Sequence, residues 1–212
     1  MVELFSNNLT NLITFLFVTS AIVVSPGADF ALVTKNSICF SRKSGIFTAL
    51  GIATAIWIHV IYTLTGIGLL ISNSPTIFSV IKYSGAIYLI YIGIISLKSK
   101  NPEDLIHEKV NNNKLPGFHY FKTGFITNSL NPKTTIFFLS FFSQFITLET
   151  PISVQFFYGL IVSLFHFFWF ILVSFIFSSQ AILNNIGNHK HKIEKVIGII
   201  LIIFGLSLAF DF

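Results

Sequence analysis

Asp29 and Lys133 are the two charges that this chain carries deep inside apolar sequence, and each lies just behind a proline. The first lies in Ser25-Pro26-Gly27-Ala28-Asp29, the second in Asn131-Pro132-Lys133. Asp29 is the only carboxylate that does not fall near the end of an apolar segment, and Lys133 is the only basic residue deep within one. Proline removes a backbone donor and breaks a helix. A charge at membrane depth costs roughly 2.5–3.5 kcal/mol on insertion scales. Chains retain both features where broken backbone lines a cavity, as in the substrate sites of transporters. The pattern implies passage of a small solute.

Two chemistries follow for each charge. Asp29 is a candidate proton acceptor or partner for a substrate ammonium; it also suits the first turn of a half-helix, where an acid caps free N–H groups and complements the dipole. Lys133 is a candidate for a substrate carboxylate, for pairing with Asp29, or for reaching the membrane rim. It lies 12 residues past Phe121, about 18 Å along a helix, which disfavours the rim. The amides of Asn128 and Asn131 are expected to serve backbone carbonyls that Pro132 leaves free. His59 and His166 are expected at matching depths, as helpers in proton transfer or as buried, hydrogen-bonded imidazoles. A haem or metal site on these two rings is the competing reading from another class. No HExxH, CxxCH or second ligand cluster accompanies them, so no metal or cofactor is expected.

The elements that must position these residues are membrane spans. The chain has 212 residues, 53% hydrophobic and 10% charged, with mean hydropathy +0.80. Soluble domains carry about 25% charged residues. No Asp, Glu, Lys or Arg occurs over 44–81 or 150–189, and each run holds at least one span of about 20 residues. The net charge of +5 and pI near 9.4 do not point to nucleic acid, because the basic residues sit between apolar segments. One cysteine, Cys39, excludes a disulfide framework. No P-loop is present, which argues against ATP-driven transport by this chain. The stretch Leu9–Val24 follows Glu3, with no preceding Lys or Arg and no small-x-small site behind it, so it is read as a span rather than a leader.

Six spans are expected in an all-α, polytopic integral membrane protein. They cover about 9–35 (kinked at Pro26), 45–71, 77–97, 121–148 (broken at Pro132), 152–183 and 193–210, with turns at Ser72-Asn73-Ser74-Pro75 and Glu149-Thr150-Pro151. Connections after spans one, three and five hold 11 of the 13 Lys and Arg residues, and the opposite side holds only Lys82. That bias puts both termini outside the cytoplasm. Residues 1–97 and 121–212 read as two three-helix repeats joined by a cytoplasmic linker over 98–120. Pro26 and Pro132 are 106 apart, and Gly51 with His59 is echoed by Gly159 with His166. Ile81, Leu89, Ile90 and Gly93 recur at a constant offset of 112 as Ile193, Leu201, Ile202 and Gly205. Three spans per copy make the repeat inverted, with the two proline-broken helices meeting near the midplane.

Ser25-Pro26-Gly27-Ala28-Asp29-Phe30, Lys35-Asn36-Ser37, Ser41-Arg42-Lys43-Ser44-Gly45, the Gly51…His59 span, Lys82…Gly85-Ala86-x-Tyr88-Leu89-x-Tyr91-x-Gly93 and Leu130-Asn131-Pro132-Lys133 together resemble the LysE/RhtB family of amino-acid exporters. Ala28 stands where the family pattern has a second proline, which softens the kink. The resemblance implies proton-motive-force-linked efflux of an amino acid or derivative across the inner (cytoplasmic) membrane, not an enzyme. On this reading Asp29, Lys133, Pro26, Gly27, Asn131 and Pro132 line the path of substrate or proton. The expected partners are a small-molecule substrate and the lipid bilayer, not nucleic acid; a homo-oligomer is one arrangement that the sequence allows. With one acid at membrane depth, a neutral amino acid is favoured over a strongly cationic one. Export of a metal cation or drug is the alternative within transport, and cation export would call for more carboxylates, Cys or Met than the spans provide.

Overall fold

The computed structural model describes residues 2–65, 74–98, 115–142, 145, 150–186 and 190–210, and among these every regular element is a helix. Helix α1 (Val2–Val24) ends at the first proline break, and α2 (Ala28–Lys35) resumes beyond it. Pro26 supplies no N–H, Gly27 sits extended at the N-cap, and Gly27 O accepts the first bond of α2 from Ala31 N at 3.0 Å. The segments 10–24 and 28–40 are bent by 54° at this break. Helix α2 runs into a wider π-type turn, Asn36–Phe40, closed by Ser41 N donating to Asn36 O at 3.1 Å.

Ser41 then caps α3 (Arg42–Leu64), its Oγ accepting from Ser44 N at 3.1 Å. Ser74, with a proline at the first helical position, caps α4 (Pro75–Leu97). Helix α5 (Gly117–Ser129) starts a turn before Phe121, behind Pro116, and ends at the second break. Asn131 caps α6 (Pro132–Ile136), which widens into a second π-type turn, Phe137–Phe142. The chain continues as α7 (Ile152–Phe177), a short α8 (Gln180–Ile186) and α9 (Lys190–Phe210). The fifth expected span is thus divided at Ser178-Ser179. Most of the 98–120 linker, and the ends of spans two and four, lie outside the described residues.

By length and composition α3 and α7 are each able to cross a membrane, as is the bent pair 10–24 with 28–40. Large apolar side chains such as Phe17, Ile87 and Phe168 face outward, more than 60% exposed. Such a surface suits lipid rather than water.

Helix α2 is the centre of the molecule. Seven of its eight residues are buried, all except Phe30. Ala28 and Ala31 pack with Leu89 of α4 and with Ile197 and Leu201 of α9. Val33 packs with Ala49 and Ile52 of α3 and with Phe170 and Val173 of α7. A helix surrounded in this way has no polar face, so its few polar side chains must find partners inside the bundle.

Helices α4 and α9 approach through glycine. A Cβ on Gly93 would lie 2.5 Å from Ile202 Cγ1, and one on Gly205 would lie 2.7 Å from Ile90 Cγ1. These contacts are reciprocal under the sequence offset of 112, which relates Gly93 to Gly205 and Ile90 to Ile202. Small residues allow such close approach of helices in a bilayer.

Candidate functional site

Asp29 lies in the first turn of α2 and is 6% exposed. Its carboxylate does not cap that helix. Instead Oδ2 accepts from Asn128 Nδ2 at 2.9 Å, at the end of α5, and from Asn131 Nδ2 at 2.8 Å, at the second break itself. Asn131 does two jobs at once: its Oδ1 also accepts from Lys133 N at 3.0 Å, capping α6. These two contacts fix which way the amide points, with oxygen toward its own helix and nitrogen toward Asp29. The other carboxylate oxygen, Oδ1, is buried and has no hydrogen-bond partner among the described residues.

Lys133 reaches in the opposite direction. Its Nζ donates to Ser25 O at 2.7 Å and to Ser25 Oγ at 2.9 Å. The second break therefore supplies amides to the carboxylate behind the first, and an ammonium to the residue ahead of it. Pro26 and Gly27 lie in the segment enclosed between these contacts, with Lys133 passing alongside Gly27. Asp29 and Lys133 line one cavity, together with Ser25, Gly27, Thr134 and His166. They do not form an ion pair: the pair within 4 Å among the described residues is Lys35 with Glu194. The cavity measures about 20 Å³, room for about one water and far below the size of an amino acid.

The two histidines have different surroundings. His59 is completely buried; its Nε2 lies 3.1 Å from Asn128 O and its Nδ1 2.9 Å from Tyr62 Oη. A carbonyl can only accept, so Nε2 carries the proton and Nδ1 receives the tyrosine hydroxyl's. Asn128 O is the carbonyl that an N–H at position 132 would serve in an unbroken helix. His59 takes part of that role, where the sequence pointed to the asparagine amides. His166 donates from Nδ1 to Val162 O at 2.9 Å, which turns its other nitrogen free as an acceptor on a ring that lines the Asp29 cavity. Among the described residues no three His, Cys, Asp or Glu side chains gather as metal ligands.

Three contributors escape a reading by charge and depth alone. Ser25 is unremarkable in sequence except that it precedes Pro26, yet it receives Lys133. Asn128 faces Asp29 rather than its own backbone. Lys35, one of the basic residues that mark a connection, is buried at 6% exposure.

Residues 20–211 match the family model described as "LysE type translocator". The chain belongs to this family of membrane translocators. The translocator is 30% identical over 204 residues to an uncharacterized membrane protein, YrhP, of Bacillus subtilis (strain 168), covering 93% of this chain and 97% of that one. It is also 30% identical over 204 residues to a leucine efflux protein of Salmonella typhimurium, covering 92% and 93%. An uncharacterized membrane protein of Escherichia coli, YahN, shares 28% over 189 residues, covering 88% and 83%. No solved structure matches the translocator significantly.

Proposed function

We propose that this translocator exports an amino acid or amino-acid derivative across the cytoplasmic membrane, coupled to the proton-motive force, through the cavity between its two helix breaks. The observation that carries the reading is the meeting of opposite charges there. Lys133 offers an ammonium to a substrate carboxylate. Asp29 Oδ1, buried without a donor, offers a free lone pair that a proton or a substrate ammonium would take. The family of the chain and the leucine efflux protein among its relatives support an amino-acid cargo.

A cavity of about 20 Å³ cannot hold such a cargo, so transport requires the broken helices to part. Movement of one repeat against the other around a fixed central site supplies that opening. The repeats are residues 1–97 and 121–212, related by a two-fold axis in the membrane plane, with the basic connections in the cytoplasm and both termini outside. The Gly93–Ile202 and Gly205–Ile90 contacts support this symmetry, since reciprocal contacts are what a two-fold produces.

Amino-acid profiling of cells with and without the protein, inside and outside, tests the reading. One amino acid or derivative is expected to fall inside and rise in the medium. Unchanged profiles under a collapsed and an intact proton gradient alike would refute it.

A further inference from the structure

A second and larger chamber, about 390 Å³, lies between α2, α4, α5 and α9. No residue lines both this chamber and the Asp29 cavity. Helix α2 separates them: Asp29 faces one, and Lys35, about 9 Å further along the helix, faces the other. The volume falls within the range of small-molecule sites, which the Asp29 cavity does not.

The chamber contains a buried pair of opposite charges. Lys35 Nζ lies 3.4 Å from Glu194 Oε1, with side chains only 8% and 12% exposed, and donates to Ser96 Oγ at 2.7 Å. Desolvating such a pair costs about as much as the attraction returns, so it is a poor staple for holding α2 to α9. Its chemistry suits exchange. An α-amino acid brings one carboxylate and one ammonium, the two partners that Lys35 and Glu194 supply to each other. Apolar side chains from α2, α4 and α5, Leu32, Ile92 and Ile126 among them, complete the wall. Lys122 also lines it, so the charged lining residues leave one positive charge in excess. That excess repels a cationic side chain.

We infer that this chamber, juxtaposing Lys35, Glu194 and an apolar wall, is a loading site for a zwitterionic amino acid with an uncharged, apolar side chain. The inference rests on the proposed export function and specifies its substrate class and point of entry. The substrate carboxylate displaces Glu194 at Lys35, the ammonium takes Glu194, and α2 then connects the loaded chamber to the break at Asp29.

Equilibrium binding to the full chain in lipid nanodiscs tests it, with leucine, valine and phenylalanine as probes. At least one is expected to bind, with its amide, its N-acetyl derivative and lysine each at least tenfold weaker. Lys35→Met with Glu194→Gln removes both charges together and is expected to weaken the probe about tenfold while flattening its advantage over the amide and N-acetyl forms. Glu194→Asp keeps the charge but withdraws it by one methylene, and is expected to weaken the probe several-fold. Binding unchanged in Glu194→Asp or in the double variant, or no binding of any probe, would overturn the inference. Cells distinguish the two failures. Absence of any amino-acid export refutes the proposed function, whereas export with an unchanged half-saturating concentration in the double variant refutes the chamber alone.

Discussion

His59 and Pro132 are connected through a single carbonyl. Pro132 lacks the N–H that would serve Asn128 O, and His59 Nε2 stands 3.1 Å from that oxygen. The remaining donor is Asn131 N at 2.9 Å, a tighter turn of the same chain. The imidazole thereby ties α3 to the end of α5 at the point where the second break begins. The carbonyl fixes the tautomer, and Tyr62 Oη donates to the other ring nitrogen.

Replacing His59 by Ala is therefore expected to destabilise the protein before it alters chemistry. A buried carbonyl that loses one of two donors, together with the lost ring packing, should cost about 1–3 kcal/mol. Thermal unfolding in detergent measures this directly. Wild-type stability with export abolished would show instead that His59 acts in the transport step.

Asn131 permits a sharper separation of structure from function, because its two ends do different work. Asn131→Asp retains the oxygen that caps α6 but replaces the amide donor to Asp29 with a second carboxylate. Asn131→Ala loses both, and the cap alone is worth about 1 kcal/mol. Export is expected to fail in both variants, with the greater loss of stability from the cap in the alanine variant. Full export in Asn131→Asp would show that the hydrogen bond to Asp29 is dispensable.

Both helix breaks were legible because each rests on a local rule: proline cannot donate, whatever surrounds it. The burial of Asp29 was legible for a similar reason, since position within an apolar run needs no tertiary information; Lys133 is half-buried. The direction of each side chain was not. Lys133 donates to Ser25, 108 residues away, and Asn128 to Asp29, 99 away. Such matches depend on which helices become neighbours. The same limit hid Lys35, which in sequence belongs to a basic connection. Burial follows because neighbouring helices surround α2, and its last residue, Lys35, turns into the space between them rather than outward. Glu194, set among Lys192 and Lys195, gave no sign that its partner lay on another helix.

The α4–α9 contact provides a test that does not depend on transport. At Gly93 and at Gly205 an added methyl would press on Ile202 and Ile90 respectively, and in each case also on a backbone oxygen, of Gly198 or Ala86, at 2.7–2.8 Å. Gly93→Ala and Gly205→Ala should each cost about 1–3 kcal/mol, as overpacking does. A two-fold relation predicts losses of similar size at the two positions. Thermal unfolding that shows a large loss at one and none at the other would argue against the symmetry.

Orientation is checked by fusion. A reporter active only in the cytoplasm should be silent when placed after Phe212, and active when placed in the 98–114 connection. The basis is the concentration of Lys and Arg in the connections after spans one, three and five. Activity after Phe212 would reverse the assignment, and with it the side from which the chamber at Lys35 opens.

The roles of Asp29 and Lys133 are separable by removing the charges singly and together. Asp29→Asn should abolish export or uncouple it from the proton gradient, because the amide cannot take up a proton at Oδ1 or meet an ammonium with charge. Lys133→Gln should weaken export by removing the cation for the substrate carboxylate, while its shorter side chain also gives up contacts to Ser25. Lys133→Gln leaves the buried Asp29, and Asp29→Asn the half-buried Lys133, without a counter-charge in the cavity, so each should also lower expression. The double variant removes that imbalance. If the two charges serve only to balance one another, expression and export should return together. If they handle the cargo, the double variant should insert and remain stable yet export nothing, and that is the outcome the geometry favours: Asp29 and Lys133 make no ion pair with each other, each being held by neutral groups across the cavity and so left available to a zwitterion that enters between them.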